Sequence, residues 1–448
     1  MIPKEWRSGE VSVIGLGRTG VSVSKWLLRQ GAKVYVSDSA DSDKVKEAAS
    51  ALLSLGASVE TGRHDVKRIE NSVAVIVSPG VPPGIPPLVA ARQAGVPIVA
   101  EIDLAQRVLR GSHLIVVTGT NGKTTVTAWL AHVLSSSGRR AVAAGNIGRP
   151  LIDVAGDDAP PDWVVIEASS YQLHDAPNLD PEIGVLTNLA PDHLDRYGTI
   201  EAYYADKKLL FQNADHQSVW VLNGDDEDVA KMTEGVEGKH LLWSMKEAAD
   251  AWYDSATGLL ILEGEAVVNR EDLRLIGDHN ISNALAVALA AKMAGLSLLE
   301  IETGLKTFAP LEHRLETVRE VGGVIWINDS KATNVASSLV AFNAMTAPFV
   351  ALMGGLAKGE DFGRLVPALG MCKEVVAFAS SAEVISRSLS DAVRVTRVET
   401  MEQAIHHAHG VAASGDVVLL SPACASFDQF DNFEQRGRIF KQLVGELA

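Results

Sequence analysis

Short apolar runs alternate along the chain with longer stretches in which apolar residues recur at helical spacing. The runs at Ala74–Val77 and Leu114–Val117 are short and rich in β-branched residues, as buried strands are. Further runs of this kind lie at Lys33–Ser37, Trp163–Ile166, Ile183–Thr187, Val324–Ile327, Phe349–Leu352, Glu374–Phe378 and Val417–Leu420. Because the stretches between many of them have helical periodicity, the pattern predicts an α/β fold with mostly parallel sheets.

Two breaks in this alternation indicate a chain of several domains. Its 448 residues are enough for two to four domains. The first domain is expected to end near Leu104–Gly111, and Phe308–Leu311 has the composition of a linker, after which strands and helices alternate again. Leu259–Val268 predicts a hairpin that turns at Glu263–Gly264. Gly277–Asn283 leads into an alanine-rich helix that Ser282 or Asn280 could cap.

The segment His113–Gly138 predicts a strand, a glycine loop and a helix. The loop consists of Gly119, Thr120, Asn121 and Gly122, and Lys123, Thr124 and Thr125 follow it. Such a loop directs N–H groups at a phosphate, the lysine reaches the β- and γ-phosphates, and the first hydroxyl can ligate Mg²⁺. Val117 stands where the longer form of the motif has a glycine, so the match is to the shorter G-x-x-G-K-T form. A plain glycine turn is the alternative.

A second glycine motif lies near the N-terminus. Gly15, Gly17 and Gly20 follow a strand and begin a helix, and Asp38 ends the next strand. This is the pattern of a dinucleotide site, in which the acid binds a ribose hydroxyl. The same turn accepts any diphosphate, so the residues alone leave NAD and a nucleotide-sugar diphosphate open. Another loop, Ser78–Gly84, also follows a strand.

Ionisable residues follow two strands in the middle of the chain. Glu167 ends one strand, and Asp192 and His193 come shortly after the next. An acid at a strand end beside a phosphate loop is the usual position of a metal ligand, although a solvated acid is the alternative. Lys207 and Lys208 lie on a predicted helix, and a lysine run there is normally a solvated face.

Composition narrows the possible functions. The formal net charge is -16, which argues against binding to nucleic acid or to a membrane surface. The two cysteines form no disulfide framework or zinc motif. The first residues contain no apolar signal region, and no apolar run is long enough to span a bilayer, so a cytoplasmic location is expected.

Eight motifs, taken together, closely resemble the ATP-dependent Mur ligases of peptidoglycan precursor synthesis. In chain order they are GTNGKTT at 119–125, GNIG at 145–148, EASSYQL at 167–173, NLAPDHLDRYG at 188–198, HN at 279–280, EHR at 312–314, NDSKATN at 328–334 and SPACASFDQF at 421–430. NDSKATN and the longer stretch SPACASFDQFDNFEQRG at 421–437 most resemble the branch that adds D-glutamate. The resemblance implies three Rossmann-like α/β domains: 1–106 binds the UDP substrate, 107–310 is a P-loop ATPase-type domain with a mostly parallel sheet, and 311–448 binds the amino acid.

The resemblance also implies substrates and the residues that bind them. ATP, UDP-N-acetylmuramoyl-L-alanine and D-glutamate are the expected substrates of an expected monomer. The UDP substrate is expected at Gly17, Arg18, Thr19, Asp38, Ser39, Ser78, Gly80 and Asn146. ATP is expected at Gly119, Thr120, Asn121, Gly122, Lys123, Thr124, Thr125, Asn283, Arg314, Asp329 and Lys331. D-glutamate is expected at Thr333, Lys358, Ser426 and Phe433.

The expected catalytic residues are Lys123, Glu167, His193 and Lys207. In the family, a lysine four residues after a tyrosine is carbamylated by CO₂ and helps to hold Mg²⁺. Counting from Tyr203 gives Lys207, with Lys208 as the neighbour if the register slips by one residue. Two Mg²⁺ sites are expected, with Thr124, Glu167, His193 and carbamylated Lys207 as ligands.

Two alternatives remain. One is a sibling ligase that adds another amino acid or acts on folate, and the other is a non-catalytic nucleotide-binding module. The SPACASFDQF motif, and the absence of the Asp-Asn-Pro-Arg motif of the diaminopimelate- or lysine-adding branch, argue against the sibling. The complete set of predicted catalytic residues argues against the module.

Overall fold

Three β-sheets flanked by helices make up the fold of the computed structural model, which describes residues 2–109, 111–192, 197–357 and 359–447. All three sheets are mostly parallel, which confirms the predicted α/β class with three Rossmann-like domains. Because parallel strands end at the same edge of a sheet, the loops after them are brought together there.

The first sheet has five parallel strands in the order β3-β2-β1-β4-β5. Its strands are β1 (Glu10–Ile14), β2 (Lys33–Asp38), β3 (Ser58–Thr61), β4 (Ala74–Val77) and β5 (Ile98–Ala100). The associated helices are Glu5–Ser8, Arg18–Arg29, Asp43–Ser54, Val66–Glu70, Pro86–Gln93 and Glu101–Gln106. The strand order reverses direction next to β1, so ligands are expected in the crevice at its carboxyl end.

The central sheet has nine strands in the order β14-β13-β12-β11-β10-β9-β6-β8-β7. They are β6 (His113–Thr118), β7 (Ala141–Gly145), β8 (Trp163–Glu167), β9 (Ile183–Leu186), β10 (Val219–Asn223), β11 (Lys239–Ser244), β12 (Ala251–Asp254), β13 (Leu259–Leu262) and β14 (Glu265–Asn269). Its helices are Lys123–Ser136, Leu151–Ala155, Ser170–His174, Ile200–Lys208, Glu227–Thr233 and Leu298–Thr307, with 3₁₀ turns at Leu209–Phe211 and Arg270–Asp272. Only the two pairings of β13 are antiparallel.

The predicted hairpin is confirmed at the edge of this sheet. β13 and β14 pair antiparallel on either side of Glu263 and Gly264, whose φ angles are 52° and 85°. Two consecutive positive φ angles give the twist that a tight two-residue hairpin needs, and glycine adopts such angles without strain.

The third sheet has six strands in the order β15-β16-β20-β17-β18-β19, and only the pairing of β15 with β16 is antiparallel. The strands are β15 (Glu316–Val321), β16 (Val324–Asn328), β17 (Phe349–Gly354), β18 (Cys372–Phe378), β19 (Val395–Arg397) and β20 (Val417–Leu420). Its helices are Val335–Asn343, Ala382–Leu389, Met401–Val411 and Phe433–Glu446, with 3₁₀ turns at Phe362–Ala368 and Ala379–Ser381. Separate apolar clusters cover its two faces.

The chain divides into two compact units. The first consists of Met1–Asp272 and Ile281–Phe308 and contains the first two sheets, while the second consists of Leu273–Asn280 and Ala309–Ala448. The division after Phe308 falls at the start of the predicted linker. The three domain ranges 1–106, 107–310 and 311–448 stay predictions.

One further helix, Asp278–Met293, begins in the second unit and ends in the first. Since it begins at Asp278, both Asn280 and Ser282 lie inside it, and the prediction that one of them caps it is wrong. Asn280 N donates to the Gly277 oxygen at 3.0 Å, and Asn280 Nδ2 donates to the Ile276 oxygen at 2.7 Å, so this side chain bonds to the preceding turn and does not cap a helix that begins after it. None of the helices in the described part of the chain is both long and apolar enough to span a bilayer.

Both cysteines are reduced and lie in the second unit. Cys424 is buried and Cys372 is half-buried. Burial raises the pKa of the Cys372 thiol to about 12 and that of Cys424 to about 11. Little thiolate therefore forms on either residue near neutral pH.

Two helical glycines in the second unit provide a test of the packing. A Cβ at Gly437 would lie 2.2 Å from Nδ1 of buried His313, whereas a Cβ at Gly410 would meet nothing within 4 Å. We expect Gly437→Ala to lower the free energy of unfolding by about 1–3 kcal/mol, because the His313 ring must move. Gly410→Ala should raise it by up to about 1 kcal/mol, because alanine favours helix. Chemical denaturation measures both changes, and equal effects of the two substitutions would contradict this packing.

Candidate active site

The phosphate loop joins β6 to the helix Lys123–Ser136, as predicted. Gly119 has a φ of +141°, and a Cβ there would lie 2.0 Å from Thr187 Oγ1. Two residues of the loop are fixed by Asn188, whose backbone oxygen accepts from Thr120 N and whose side-chain oxygen accepts from Asn121 N, both at 2.9 Å. The loop after β9 therefore holds the phosphate loop in shape.

Gly122 and Asn283 are close together. Gly122 has a φ of +81° and precedes the first helical residue, and a Cβ there would lie 2.6 Å from Asn283 Oδ1. The structure thus places Asn283 beside the phosphate loop, and its assignment to ATP stays a prediction.

Two lysines bond to the same backbone carbonyl of the loop. Lys123 Nζ donates to the oxygens of Gly119 and Thr120 at 3.0 Å and 2.8 Å. Lys207 Nζ donates to the Gly119 oxygen at 2.6 Å, and its side chain lies over the Tyr203 ring, 4.7 Å from the centroid. The two amines therefore share one acceptor.

Burial holds the pKa of the Lys207 amine well below its usual value, and the positive charge of Lys123 lowers it further. The negative charges of Asp192, Glu167 and Asp206 act in the opposite direction. Lys207 is 1% exposed, whereas Lys208 is an exposed residue. Of the two lysines considered by register, the structure thus brings Lys207 to the loop as an amine that favours the neutral form.

Glu167 ends β8, next to the phosphate loop. Its neighbours across the sheet are Val117 of β6 and Gly145 of β7. Asn146 Nδ2 donates to Glu167 Oε1 at 2.9 Å, while the buried Oε2 has no hydrogen-bond partner in the described part of the chain. A buried carboxylate oxygen without a partner is costly in a protein interior, and a hard cation satisfies it. Glu167 therefore fits the role of a magnesium ligand.

The structure says less about the other two predicted metal ligands, Thr124 and His193. Thr124 is half-buried at the start of its helix, and Thr125 behind it is buried. His193 lies outside the described residues. Within residues 2–109, 111–192, 197–357 and 359–447, no group of three or more His, Cys, Asp or Glu residues is placed to hold a metal ion. The two-ion site stays a prediction.

The N-terminal glycine motif forms a tight turn between β1 and the helix Arg18–Arg29. A Cβ at Gly20 would lie 1.8 Å from the Gly15 oxygen, so the turn requires glycine there. The Asp38 carboxylate accepts from Leu16 N at 2.7 Å and from Ala40 N at 2.9 Å, and Ser78 Oγ donates to the Gly15 oxygen at 3.3 Å.

Asp38 and Ser78 thus shape this turn in addition to any contact with a ligand. Other residues assigned to the UDP substrate are accessible to solvent: Gly17, Arg18, Ser39, Gly80 and Asn146 are exposed, and Thr19 is half-buried. Arg18 Nη1 also donates to the Gly148 oxygen at 2.6 Å, which joins the first sheet's turn to the Asn146 turn within the first unit.

In the second unit, the assigned residues gather after β16 and β20. The Asp329 carboxylate accepts from Ser421 Oγ at 2.8 Å and from Leu315 N at 3.3 Å, and burial raises its pKa to about 7. Lys331 Nζ lies 4.4 Å from the centre of the Phe433 ring.

Three other assigned residues of this unit border the same loops. Thr333 N donates to the Lys331 oxygen at 2.8 Å, Arg314 is half-buried, and Ser426 is 2% exposed. Lys358 lies outside the described residues, so its assignment to D-glutamate stays a prediction.

Sequence reasoning missed Arg436, which is fully buried in the second unit. Its guanidinium donates to both oxygens of Ser330 and to the backbone oxygens of Gly354 and Cys424, at distances of 2.8 to 3.3 Å. Burial lowers the pKa of Arg436 to about 10. One side chain thus joins the end of β17 to the loops that follow β16 and β20. The only signal was its place in the stretch SPACASFDQFDNFEQRG at 421–437, since an arginine on a helix is usually solvated.

Comparison with known proteins gives family matches along nearly the whole chain. Three family models match: the Mur ligase MurD-like N-terminal domain at residues 9–100, the Mur ligase middle domain at 117–291 and the Mur ligase glutamate ligase domain at 313–424. Two relatives named UDP-N-acetylmuramoylalanine--D-glutamate ligase are similar over nearly their full length. The relative from Acidobacterium capsulatum is 38% identical, over 98% of this chain and 97% of its own. The one from Myxococcus xanthus is 39% identical, over 98% of each chain.

Solved structures are similar in fold. The MurF ligase from Thermotoga maritima in complex with ADP has a TM-score of 0.64 at 17% identity and matches 100% of both chains. UDP-N-acetylmuramate-alanine ligase MurC from Thermotoga maritima has a TM-score of 0.63 at 20% identity, over 98% of this chain and 99% of its own. At these identities the likeness supports the fold alone.

The raised pKa of Asp329 leads to a prediction about stability. The carboxyl has a pKa of about 7 in the folded protein, against about 3.9 when unfolded. Between these values the folded protein holds a proton that the unfolded chain releases, so the group makes stability fall as pH rises from about 4 to about 7. Asp329→Asn should remove this part of the pH dependence, because an amide does not ionise. Denaturant unfolding at pH 5 and at pH 7.5 measures the change, and an unchanged difference between the two pH values would contradict it.

Proposed function

The chain belongs to the Mur ligase family, and we propose that it is the ATP-dependent ligase that adds D-glutamate to UDP-N-acetylmuramoyl-L-alanine in peptidoglycan precursor synthesis. The observation that carries the ligase chemistry is the pair of lysine amines, Lys123 and Lys207, on the Gly119 carbonyl of the phosphate loop. The choice of D-glutamate is supported by the names of relatives that are 38% and 39% identical over 98% of the chain.

The reaction requires activation, because a carboxylate is a poor acyl donor at neutral pH. In the proposed mechanism, a carboxylate oxygen of the L-alanyl group attacks the γ-phosphorus of ATP, and ADP leaves with the electrons of the broken P–O bond. The amine of D-glutamate then attacks the acyl carbon, inorganic phosphate leaves, and the nitrogen releases a proton. An amide bond forms at the cost of one ATP.

The phosphate loop is proposed to bind the triphosphate. The N–H groups of Gly119–Gly122 and the start of the following helix attract phosphate oxygens, and Lys123 adds a full positive charge. In the structure Lys123 Nζ bonds to the loop's own carbonyls, so it lies at the loop already. Developing negative charge on the transferred phosphoryl group is thereby stabilised. Asn283, beside Gly122, is proposed to lie near the adenine.

Magnesium is proposed to bind at Thr124, Glu167, His193 and carbamylated Lys207, in two sites. When bound, it supplies positive charge that offsets the charge of the phosphates. The unpartnered Oε2 of Glu167 supports its part in this set. The lowered pKa of Lys207 supports the carbamate, because only a neutral amine reacts with CO₂.

The other assignments follow the family motifs. Arg314, Asp329 and Lys331 are proposed to contact the nucleotide or its phosphates, and Thr333, Lys358, Ser426 and Phe433 to bind D-glutamate. The UDP substrate is proposed to bind at Gly17, Arg18, Thr19, Asp38, Ser39, Ser78, Gly80 and Asn146. We propose a cytoplasmic monomer, since ATP and the nucleotide-linked sugar are substrates of the cytoplasm.

The direct test is phosphate release from ATP with UDP-N-acetylmuramoyl-L-alanine and one amino acid at a time. D-Glutamate should support release, while L-glutamate, L-lysine and diaminopimelate should not. Release with a different amino acid would identify a sibling ligase. Binding of ATP without release under any condition would leave only a nucleotide-binding module.

A pair of adjacent lysines provides a matched test of the carbamate. Lys207→Ala should lower the rate of phosphate release by about 100-fold or more, because a ligand for the charge-neutralising metal is lost. Lys208→Ala should leave the rate within about two-fold, since exposed Lys208 serves as the control. In buffer depleted of CO₂, the wild-type protein should lose activity, and addition of bicarbonate should restore it. Equal rates for the two variants would refute the role of Lys207.

A further inference from the structure

An ion pair joins the two helices that adjoin Glu167 and Lys207. His174 ends the helix Ser170–His174, which begins three residues after Glu167, and Asp206 directly precedes Lys207 in the helix Ile200–Lys208. His174 Nδ1 lies 2.8 Å from Asp206 Oδ1. The Asp206 side chain is 11% exposed and that of His174 is 36% exposed, so the pair is partly withdrawn from water.

Asp206 has a second partner, and its helix is also attached to the phosphate loop. The Tyr197 hydroxyl donates to Asp206 Oδ2 at 2.8 Å. One turn before Asp206, the Tyr203 hydroxyl lies 3.3 Å from Thr120 Oγ1 of the loop. The helix that carries Lys207 is therefore held both at the loop and at the helix that follows Glu167.

The charges around His174 favour its protonated form. The hydrogen bond to Asp206 raises the pKa of His174, and burial opposes this. The other described charges that act on it are Asp175, which raises the pKa, and Arg92, which lowers it. Arg92 and Asp175 are themselves paired, with Nη2 and Oδ1 separated by 3.0 Å. The Asp206 carboxylate is thus neutralised by the imidazolium and not by Arg92.

The charge of Asp206 matters for Lys207 because carbamylation creates an anion. The lone pair of the Lys207 nitrogen attacks the carbon of CO₂, an N–C bond forms, and one N–H proton passes to solvent. The product carries a negative charge in the field of the Lys123 ammonium and of three carboxylates, those of Asp192, Glu167 and Asp206, which all act electrostatically on Lys207. An uncompensated anion at Asp206 would repel the new charge.

We propose that His174 and Asp206 are positioning residues for Lys207. The pair fixes the helix Ile200–Lys208 against the helix Ser170–His174, and the imidazolium offsets the charge of Asp206 so that Lys207 takes up CO₂. This inference rests on the carbamylation of Lys207 in the proposed function. It adds His174 and Asp206, two residues that the family resemblance did not assign to the site.

The test measures the carbamate itself. Full-length protein is equilibrated with ¹³C-bicarbonate at fixed pH and Mg²⁺, and the carbamate signal at Lys207 is followed by ¹³C NMR, with Lys207→Arg as the blank. His174→Asn keeps a hydrogen-bond donor near the position of Nδ1 but carries no charge. We expect it to raise the CO₂ concentration needed for half-occupancy by about five-fold, as one uncompensated nearby charge would.

Two further variants separate charge from packing. In His174→Asn/Asp206→Asn no carboxylate needs to be neutralised, so occupancy should return to the wild-type level. Tyr197→Phe removes the other hydrogen bond to Asp206 and keeps both charges, so it should lower thermal stability without changing the CO₂ titration.

The inference would be overturned if His174→Asn titrated as the wild type does, or if the double variant were as impaired as the single one. Those outcomes leave the wild-type carbamate signal intact, and with it the proposed function. If instead the wild-type protein gave no ¹³C signal that disappears in Lys207→Arg, both the carbamylation and this inference would be overturned.

Discussion

A lysine amine buried against a backbone carbonyl is the contact on which the arrangement of the first unit's site depends. Lys207 Nζ and Lys123 Nζ both bond to the Gly119 oxygen, at 2.6 Å and 3.0 Å. Two ammonium groups at one carbonyl, one of them buried, would repel each other at low dielectric, so the interior favours a neutral Lys207. The loop keeps this geometry because Asn188 holds it from the next strand and because only glycine fits at position 119.

The sequence predicted fully buried strands such as β4 and β8 and missed the edge strands β3 and β15, for one physical reason. Strands such as β4 and β8 are buried along their whole length, so each leaves a continuous apolar run. By contrast, β3 is half-buried at all four positions, and β15 carries charged residues on its exposed side, so neither produces such a run. A continuous apolar run in the sequence indicates a strand that is buried on both faces, and edge strands such as β3 and β15 are not buried in this way.

The candidate site shows the same limit for single residues. Glu167 was found because an acid at the end of a buried strand is a visible pattern. Lys207 was not, because sequence shows two adjacent lysines on a helix, and only the phase of that helix buries one and exposes the other. Arg436 and His174 escaped for a related reason: their partners are 12 to 106 and 32 residues away in sequence, and no local spacing encodes such contacts. For Lys207, the family resemblance supplied what periodicity could not.

The two cysteines allow the opening of one part of the molecule to be followed by thiol labelling. Both thiols lie in the second compact unit and both have raised pKa values, so each reacts slowly while that unit stays folded. Reaction of buried Cys424 with a thiol reagent in the native protein therefore reports how often the second unit opens, with no contribution from the first, whose ranges contain no cysteine. Opening of the second unit can thus be followed separately in the wild-type chain, in the presence or absence of substrates, without an engineered label.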